Sequence, residues 1–383
     1  SISPQGDASF WVTQAPEQDP ELQIALSDGS TKRYARGDDP QWIAPSTLVF
    51  VRKAPLEETR AAIEAGKKGL DRPADEAYVW QLAGADTVLR FSSVSGILSS
   101  DRGGALLVVK HRPDYLKADS SAMPEPSDPF PVSLHHTLVD TTLVLMGAAR
   151  AALSYDGRVA WIGQHNEEDS TATILRIEQT ASGFRSDTLF EGAGKVIDWS
   201  GSRDGMRFAF TVEQHGSEAE QEAGQPPRSV WMAQASERAR IVAPPAWGHI
   251  SGSGLSFSDH GGRLWVDLEA IRPARVLPDS IAKHEVVNVD IWHWQDVTLQ
   301  PAQLLDADDP KTYQAWINPE TAMWTIPAPG FFERILTGEH DDGRWALGVD
   351  EDHWVRQRSW RYPYRYDLYR IDLATGDTFS LAI

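Results

Sequence analysis

The sequence predicts an all-β protein, a β-propeller of about seven four-stranded blades with one short helical insertion. Three observations carry that expectation. A Ser/Asp-Gly turn followed by an apolar strand recurs at starts roughly fifty residues apart, close to the roughly 40–50 residues that a four-stranded blade occupies. Runs of alternating apolar and polar residues are frequent, whereas helical spacing is sparse. The 383 residues include 24 prolines and 15 tryptophans, which suits turn-rich sheet structure better than helix bundles. Radial repetition also answers a physical need of such sheets, because each blade buries both faces against its neighbours and only short edges remain.

Taken in order, the first copy runs from Ser3-Pro4-Gln5-Gly6 into Phe10-Trp11-Val12, then Leu22 to Leu26 and the turn Ser27-Asp28-Gly29-Ser30. Asp-Gly between alternating strands predicts a hairpin, since glycine accepts positive φ at no steric cost. The second copy lacks its glycine: Pro40 to Ala44 leads to Leu48-Val49-Phe50-Val51, whose partner is Tyr78 to Leu82. An insertion over residues 55–72 lies between them. Pro55 with Glu57-Glu58 in a first turn, and Leu56, Ile63 and Leu70 spaced seven apart, predict a short helix with one narrow apolar stripe.

Copies three to five begin at Ser100-Asp101-Arg102-Gly103, Ser154-Tyr155-Asp156-Gly157 and Arg203-Asp204-Gly205, feeding strands at Leu106–Val109, Val159–Ile162 and Phe208–Val212. The sixth is Leu255 to Gly262 leading into Leu264-Trp265-Val266, and the seventh starts at Asp342-Gly343. Strand-like runs at Gln314–Ile317 and Met323–Ile326 fall between the last two and leave the count at seven, give or take one. Two polar segments, 111–131 and 213–228, carry too little apolar surface for cores of their own and are expected as loops at blade edges. Residues 1–383 are thus read as a single β-propeller domain or the N-terminal part of one. Ser1 to Thr13 is expected to close the ring as a strand of the last blade.

The 55 acidic and 36 basic residues give a formal charge of −19, which repels phosphate, so no nucleic-acid partner and no anionic membrane surface is expected. There is no cysteine, which removes disulfides, thiolate zinc sites and cysteine nucleophiles. No apolar run approaches the roughly 18 residues of a membrane span, and Ser1-Ile2-Ser3 shows no signal-peptide pattern. The compartment stays open, with a periplasmic or secreted location slightly favoured over the cytoplasm.

The stretch Glu285 to Gln303 is the most distinctive. Val287, Val289 and Ile291 alternate with Asn288, Asp290 and Trp292, predicting a half-buried strand that Trp292-His293-Trp294 continue and Gln300-Pro301 closes. The block Asp290-Ile291-Trp292-His293-Trp294-Gln295-Asp296, with Leu299-Gln300-Pro301, resembles one in the propeller region of bacterial prolyl-oligopeptidase-family serine peptidases of the acylaminoacyl-peptidase-like branch. Asp342 to Gly348 and Asp367 to Gly376 fall in that family's order, so the resemblance covers most of the chain. It implies a non-catalytic propeller that caps an α/β-hydrolase domain of the same parent protein and limits entry to short peptide substrates. It would also allow the helical insertion to guard that entrance.

Such a peptidase needs a Gly-x-Ser-x-Gly nucleophile elbow with a later acid and histidine. Gly248-His249-Ile250-Ser251-Gly252 places its serine one position late, so the hydrolase domain is expected to lie outside this chain and no catalytic residue is assigned within it. Related dipeptidyl peptidases hold an amino terminus with paired glutamates. Glu167-Glu168 and Glu57-Glu58 are candidates, against the ordinary account of solvated acidic pairs. His135-His136 and Asp350 to His353 lack metal-ligand spacing and are expected as ordinary surface residues, so neither metal nor cofactor is assigned. Among the aromatics Trp292, Trp294, Trp354, Trp360, Tyr362, Tyr364 and Tyr366, packing between blades is the commoner role. The run Trp360 to Tyr366 resists complete burial because Arg361 and Arg365 need solvent or carboxylates. Trp292, Trp294, Trp360, Tyr362 and Tyr364 are therefore candidate substrate or domain contacts. Two other readings compete: a freestanding TolB-like binding scaffold, and a propeller glycosidase with axial carboxylates.

Overall fold

The computed structural model describes the chain except residues 45, 69–70, 83–87, 101–105, 113–128, 167–168, 217–224, 246–247, 272–311, 328–331, 333, 339–341, 352, 358–360 and 383. Chain contacts separate two compact units. One comprises 1–193 with 203–205 and 235–238, the other 194–202, 206–234 and 239–383.

Strand pairing among the described residues forms seven consecutive antiparallel meanders, the blades of an all-β propeller. In the first, residues 1–3 bridge through Ile2 and Ser9 to β1 (Ala8–Thr13), which continues to β2 (Glu21–Leu26) and β3 (Thr31–Ala35). The second holds β4 (Gly37–Ala44), β5 (Thr47–Arg52), β6 (Asp75–Gln81) and the first half of β7 (Val88–Leu98). The third takes the rest of β7, β8 (Leu106–His111), β9 (Phe130–His136) and the first half of β10 (Thr141–Leu153). The fourth takes the rest of β10, β11 (Val159–Asn166), β12 (Thr171–Thr180) and β13 (Gly183–Ala193).

The second unit continues the pattern. Its first blade is β14 (Lys195–Gly201), β15 (Arg207–Glu213), β16 (Arg228–Gln234) and β17 (Arg240–Val242). In the next, β18 (Gly248–Ile250) and β19 (Ser256–Phe257) share the first position beside β20 (Leu264–Ala270), followed by β21 (Thr312–Ile317) and β22 (Trp324–Thr325). The last is β23 (Arg334–Leu336), β24 (Trp345–Asp350), β25 (Asp367–Asp372) and β26 (Thr378–Ala382).

The fourth strand of a blade passes into the first strand of the next at a sharp backbone bend. Positive φ occurs at Arg36, at Ser93 within β7, at Gly147 within β10 and at Gly194 between β13 and β14. Register shifts at Val94/Gly96 and Leu145/Ala148 mark where β7 and β10 leave one sheet for the next. A bulge of this kind twists the strand away from its first partner.

Period-two alternation sends successive residues to opposite neighbours. On β5, Leu48 and Phe50 pack toward the first blade with Leu22, Ile24 and Trp80, while Val49 packs toward the third with Leu107 and Val109. On β8, Leu106 and Val108 turn the other way, onto Ala160 and Ile162 of the fourth. In the second unit Leu264, Val266 and Leu268 of β20 pack on Ala209, Val230 and Met232, whereas Trp265 joins Phe332, Ala346 and Ile371 of the last blade. This two-faced burial explains why the middle strands read as nearly continuous apolar runs.

The recurring serine turns join first strands to second strands. Ser154 N donates to Val159 O (2.7 Å) while Val159 N donates back to Ser154 Oγ (3.0 Å). The same exchange links Ser3 with Ala8, Ser202 with Arg207 and Ser258 with Arg263. Gly6, Gly157, Gly205 and Gly261 each adopt positive φ three residues after the serine, the position for which glycine is selected. Neighbouring turns are also tied together: Leu106 N donates to Gly157 O (3.3 Å) and Arg207 Nη1 to Gly261 O (2.6 Å). Asp342 accepts hydrogen bonds from Ser258 Oγ (2.6 Å) and His260 N (2.7 Å), which hold its carboxyl below the usual range although burial pushes it up. Ser258 is 1% exposed, so Ser258→Ala strands a buried amide and should lower stability by about 1–3 kcal/mol in urea unfolding.

Two expectations need correction. Ser1 to Thr13 pairs within its own blade and not with the last one, whose sheet contains β23 to β26 alone among the described strands. The half-buried strand expected over Glu285 to Gln303 lies outside the described residues. The helix, α1 (Leu56–Glu64), forms inside the expected insertion, but Ala62 is its buried residue and Ile63 is 51% exposed. Its first amide, Leu56 N, is capped from a distance by Asp19 Oδ1 (2.9 Å).

Candidate functional site

The meander order gives each blade three kinds of internal connection. In four blades the first-to-second connection is a short serine turn. Third-to-fourth connections are also short, as at 27–30, 137–140 and 373–377. The second-to-third connections carry the insertions: α1 between β5 and β6, residues 112–129 between β8 and β9, 214–227 between β15 and β16, 271–311 between β20 and β21, and 351–366 between β24 and β25. Strand direction alternates, so each of these leaves the same end of its own sheet.

Every candidate contact belongs to this class of connection. Glu167 and Glu168 fall between β11 and β12, Trp292 and Trp294 between β20 and β21, and Trp360, Tyr362 and Tyr364 between β24 and β25. Glu167, Glu168, Trp292, Trp294 and Trp360 lie outside the described residues. Tyr362 and Tyr364 are 87% and 50% exposed, with rings 5.9 Å apart and near perpendicular, so inter-blade packing does not account for them.

The chain around them is built on Asp367 at the start of β25. Its carboxylate, 5% exposed as a residue, accepts the Trp354 indole N–H (2.7 Å) and lies 3.5 Å from His353 Nδ1. His353 stacks on Trp354 at 4.6 Å, and the Arg365 guanidinium lies over the Trp354 ring at 5.2 Å. A one-turn 3-10 helix, Val355–Gln357, follows, and Gln357 receives both the backbone and the side-chain N–H of Arg361. Trp354, Gln357, Arg361, Pro363, Tyr364 and Arg365 line a shallow notch there.

The histidine pair expected at the surface is buried. His135 and His136 are 1% and 3% exposed and point to opposite faces of β9, where His135 meets Phe91 and His136 meets Phe184. The sequence also gave no warning of a serine–histidine contact at this place. His111 Nδ1 donates to Ser92 O (2.9 Å), which leaves Nε2 to accept from Ser133 Oγ at 2.7 Å. Burial lowers the His111 pKa and keeps the ring neutral. The pairing copies a nucleophile–base contact, yet Ser133 and His111 are 4% and 2% exposed, and substrate has no approach to them. Their role is to satisfy polar groups between β8 and β9.

A carboxyl pair stands between β14 and β20. Asp198 accepts the amides of Trp199 (2.8 Å) and Leu255 (2.9 Å), tying two blades together. Burial and then the Asp198 charge raise the Asp267 carboxyl to about 6. Nearby Arg228 donates to Glu213 (2.9 Å) and Ile250 O (3.2 Å) and lies 3.9 Å from Glu269. A carboxyl raised in the folded state stabilises fully below its unfolded pKa of about 3.9, and that contribution is lost as pH rises through about 6. Asp267→Asn should therefore gain about 1–2 kcal/mol at pH 8, after allowance for solvent screening, and nothing at about pH 3. Denaturant midpoints at the two pH values measure it.

At the serine-turn end of the first unit, Gln41, Ile97, Leu98, Ser99, Ser100 and residues 151–155 line an open cleft of about 590 Å³. Among the described residues, no three metal-ligating side chains converge and no helix is long and apolar enough to cross a membrane.

No protein-family model matches the sequence, and no curated protein does. Solved structures resemble the fold at low identity. A eukaryotic initiation factor aligns over 100% of this chain and 77% of its own, at 11% identity and TM-score 0.45. The acylaminoacyl peptidase of Pyrococcus horikoshii aligns over 98% of this chain, at 11% identity and TM-score 0.38, and this chain spans 50% of it. The β-propeller domain of the Trilobed protease from Pyrococcus furiosus aligns over 99% of this chain and 95% of its own, at 9% identity and TM-score 0.35. Likenesses this distant assign no activity.

Proposed function

We propose that this chain is the non-catalytic propeller of a prolyl-oligopeptidase-like serine peptidase, where it packs on a hydrolase domain and gates short peptides. The observation that carries the reading is the placement of the insertions. The tryptophan block that resembles that family, the paired glutamates and the exposed tyrosines all belong to second-to-third connections, while the opposite ends of four blades carry short serine turns. A scaffold that concentrates long, aromatic-rich segments at one end of its blades is organised for recognition.

The test is a fluorophosphonate probe for activated serines, combined with an antibody to this chain, on extract of the source cells. A labelled band much heavier than 42.4 kDa is the expected result. An unlabelled band at that mass contradicts the peptidase reading and supports the freestanding scaffold.

A further inference from the structure

We propose that the connection between β24 and β25 is a docking surface for acidic peptide segments, with Arg361 and Arg365 as the charged contacts and Tyr362 and Tyr364 as the apolar ones. The proposal uses the recognition end described above but does not depend on a hydrolase partner.

Composition first sets this segment apart. From His353 to Tyr366 the sequence has arginines at 356, 358, 361 and 365, five Trp or Tyr residues, and neither Asp nor Glu. The rest of the chain is therefore four charges more negative than the −19 of the whole. Arginine, tyrosine and tryptophan without lysine is the composition of interface centres, not of ordinary solvated loops.

The geometry explains how the charge is displayed. Asp367, the buried acid beneath the loop, is already engaged by the Trp354 indole and His353. Arg361 is held by the Gln357 amide oxygen at 2.8 Å, a neutral acceptor that fixes the guanidinium without cancelling its charge. Arg365 lies on the Trp354 face, which likewise orients it and leaves its N–H edge for a carboxylate. Tyr362 stands 87% exposed beside them, Pro363 stiffens the turn, and Trp354, Pro363 and Tyr364 are among the residues that line the notch. Both arginines are thus pre-positioned, which lowers the entropy lost when a carboxylate binds.

Charge complementarity selects the occupant. Screening confines each charge to about 8 Å at physiological salt, so a short acidic segment meets the local arginines while a long polyanion also meets the acidic remainder of the chain. An acidic peptide with interspersed aromatic or aliphatic residues satisfies both the guanidinium forks and the tyrosine rings.

Fluorescence anisotropy of a labelled nonapeptide alternating Glu and Phe, titrated with the whole chain, tests this, with the Lys-Phe counterpart and single-stranded oligo-dT as comparators. Expected is binding of the Glu peptide alone. It should weaken by about tenfold or more in Arg361→Glu/Arg365→Glu, several-fold in Tyr362→Ala, and again between about 50 and about 300 mM salt. Arg361→Lys/Arg365→Lys should keep the charge dependence with part of the affinity. Absence of Glu-peptide binding, equal binding of the Lys peptide, or an affinity indifferent to the charge reversals overturns the proposal. So does tighter binding of oligo-dT. Light scattering on the same samples decides a further outcome: a doubled mass that the charge reversals abolish makes a second copy the partner and overturns it as well. Circular dichroism of each variant should match the parent, since the substituted side chains are exposed. Fluorophosphonate labelling can fail while this binding holds, and the reverse, so the two readings fail separately.

Discussion

Trp80→Ala should lower the unfolding free energy by about 3–5 kcal/mol. Trp80 is 1% exposed and packs between the first and second blades with Leu22, Ile24, Trp42, Leu48 and Phe50. Truncation removes the transfer energy of a large ring and leaves a cavity that two rigid sheets cannot collapse to fill. Its indole N–H has no hydrogen-bond acceptor among the described residues, so its contribution is bulk, and Trp80→Phe should recover most of the loss. Trp11, 42% exposed, supplies the control: Trp11→Ala should cost less than about 1 kcal/mol. Urea unfolding followed by circular dichroism ranks the three. A Trp80→Ala loss below that of Trp11→Ala would contradict the two-faced burial of blades.

Gly194→Ala should cost about 2–4 kcal/mol for a different reason, the backbone. Gly194 carries φ of 114° where β13 turns into β14, a region that side-chain-bearing residues rarely adopt. A Cβ there would stand 2.6 Å from Glu213 O and 2.7 Å from Val212 Cγ1, so β14 must shift from β15 to admit it. Gly6→Ala meets no atom within 4 Å and tests conformational strain alone, at about 1–2 kcal/mol. Similar losses at both positions would show that close approach of the strands is not what selects Gly194.

The blade was legible because its chemistry is local. A serine followed three residues later by glycine is a complete hydrogen-bonded unit, and alternation on β5, β8 and β20 directly states which residues face which neighbour. Ring closure was misread because nothing in Ser1 to Thr13 says which sheet edge it meets; register and partner are long-range choices. The buried His135 and His136 were misread because imidazole is amphipathic, and the hydroxyl, carbonyl and ring partners that permit burial come from Thr142, Thr180, Phe91 and Phe184, far along the chain or across a turn. The raised Asp267 carboxyl depends on Asp198 from another blade, and no spacing encodes that meeting. The exposed tyrosines were legible for the opposite reason: Arg361 and Arg365 inside the run made its burial costly.

Hydrogen exchange of the whole chain, with and without saturating Glu-Phe peptide, decides whether recognition occurs at the blade ends that bear the second-to-third connections. Slowed exchange over 351–366 is expected, with the serine turns at 154–158 and 202–206 unchanged. Protection centred on those serine turns, with 351–366 unaffected, would place recognition at the opposite blade ends and contradict the proposal.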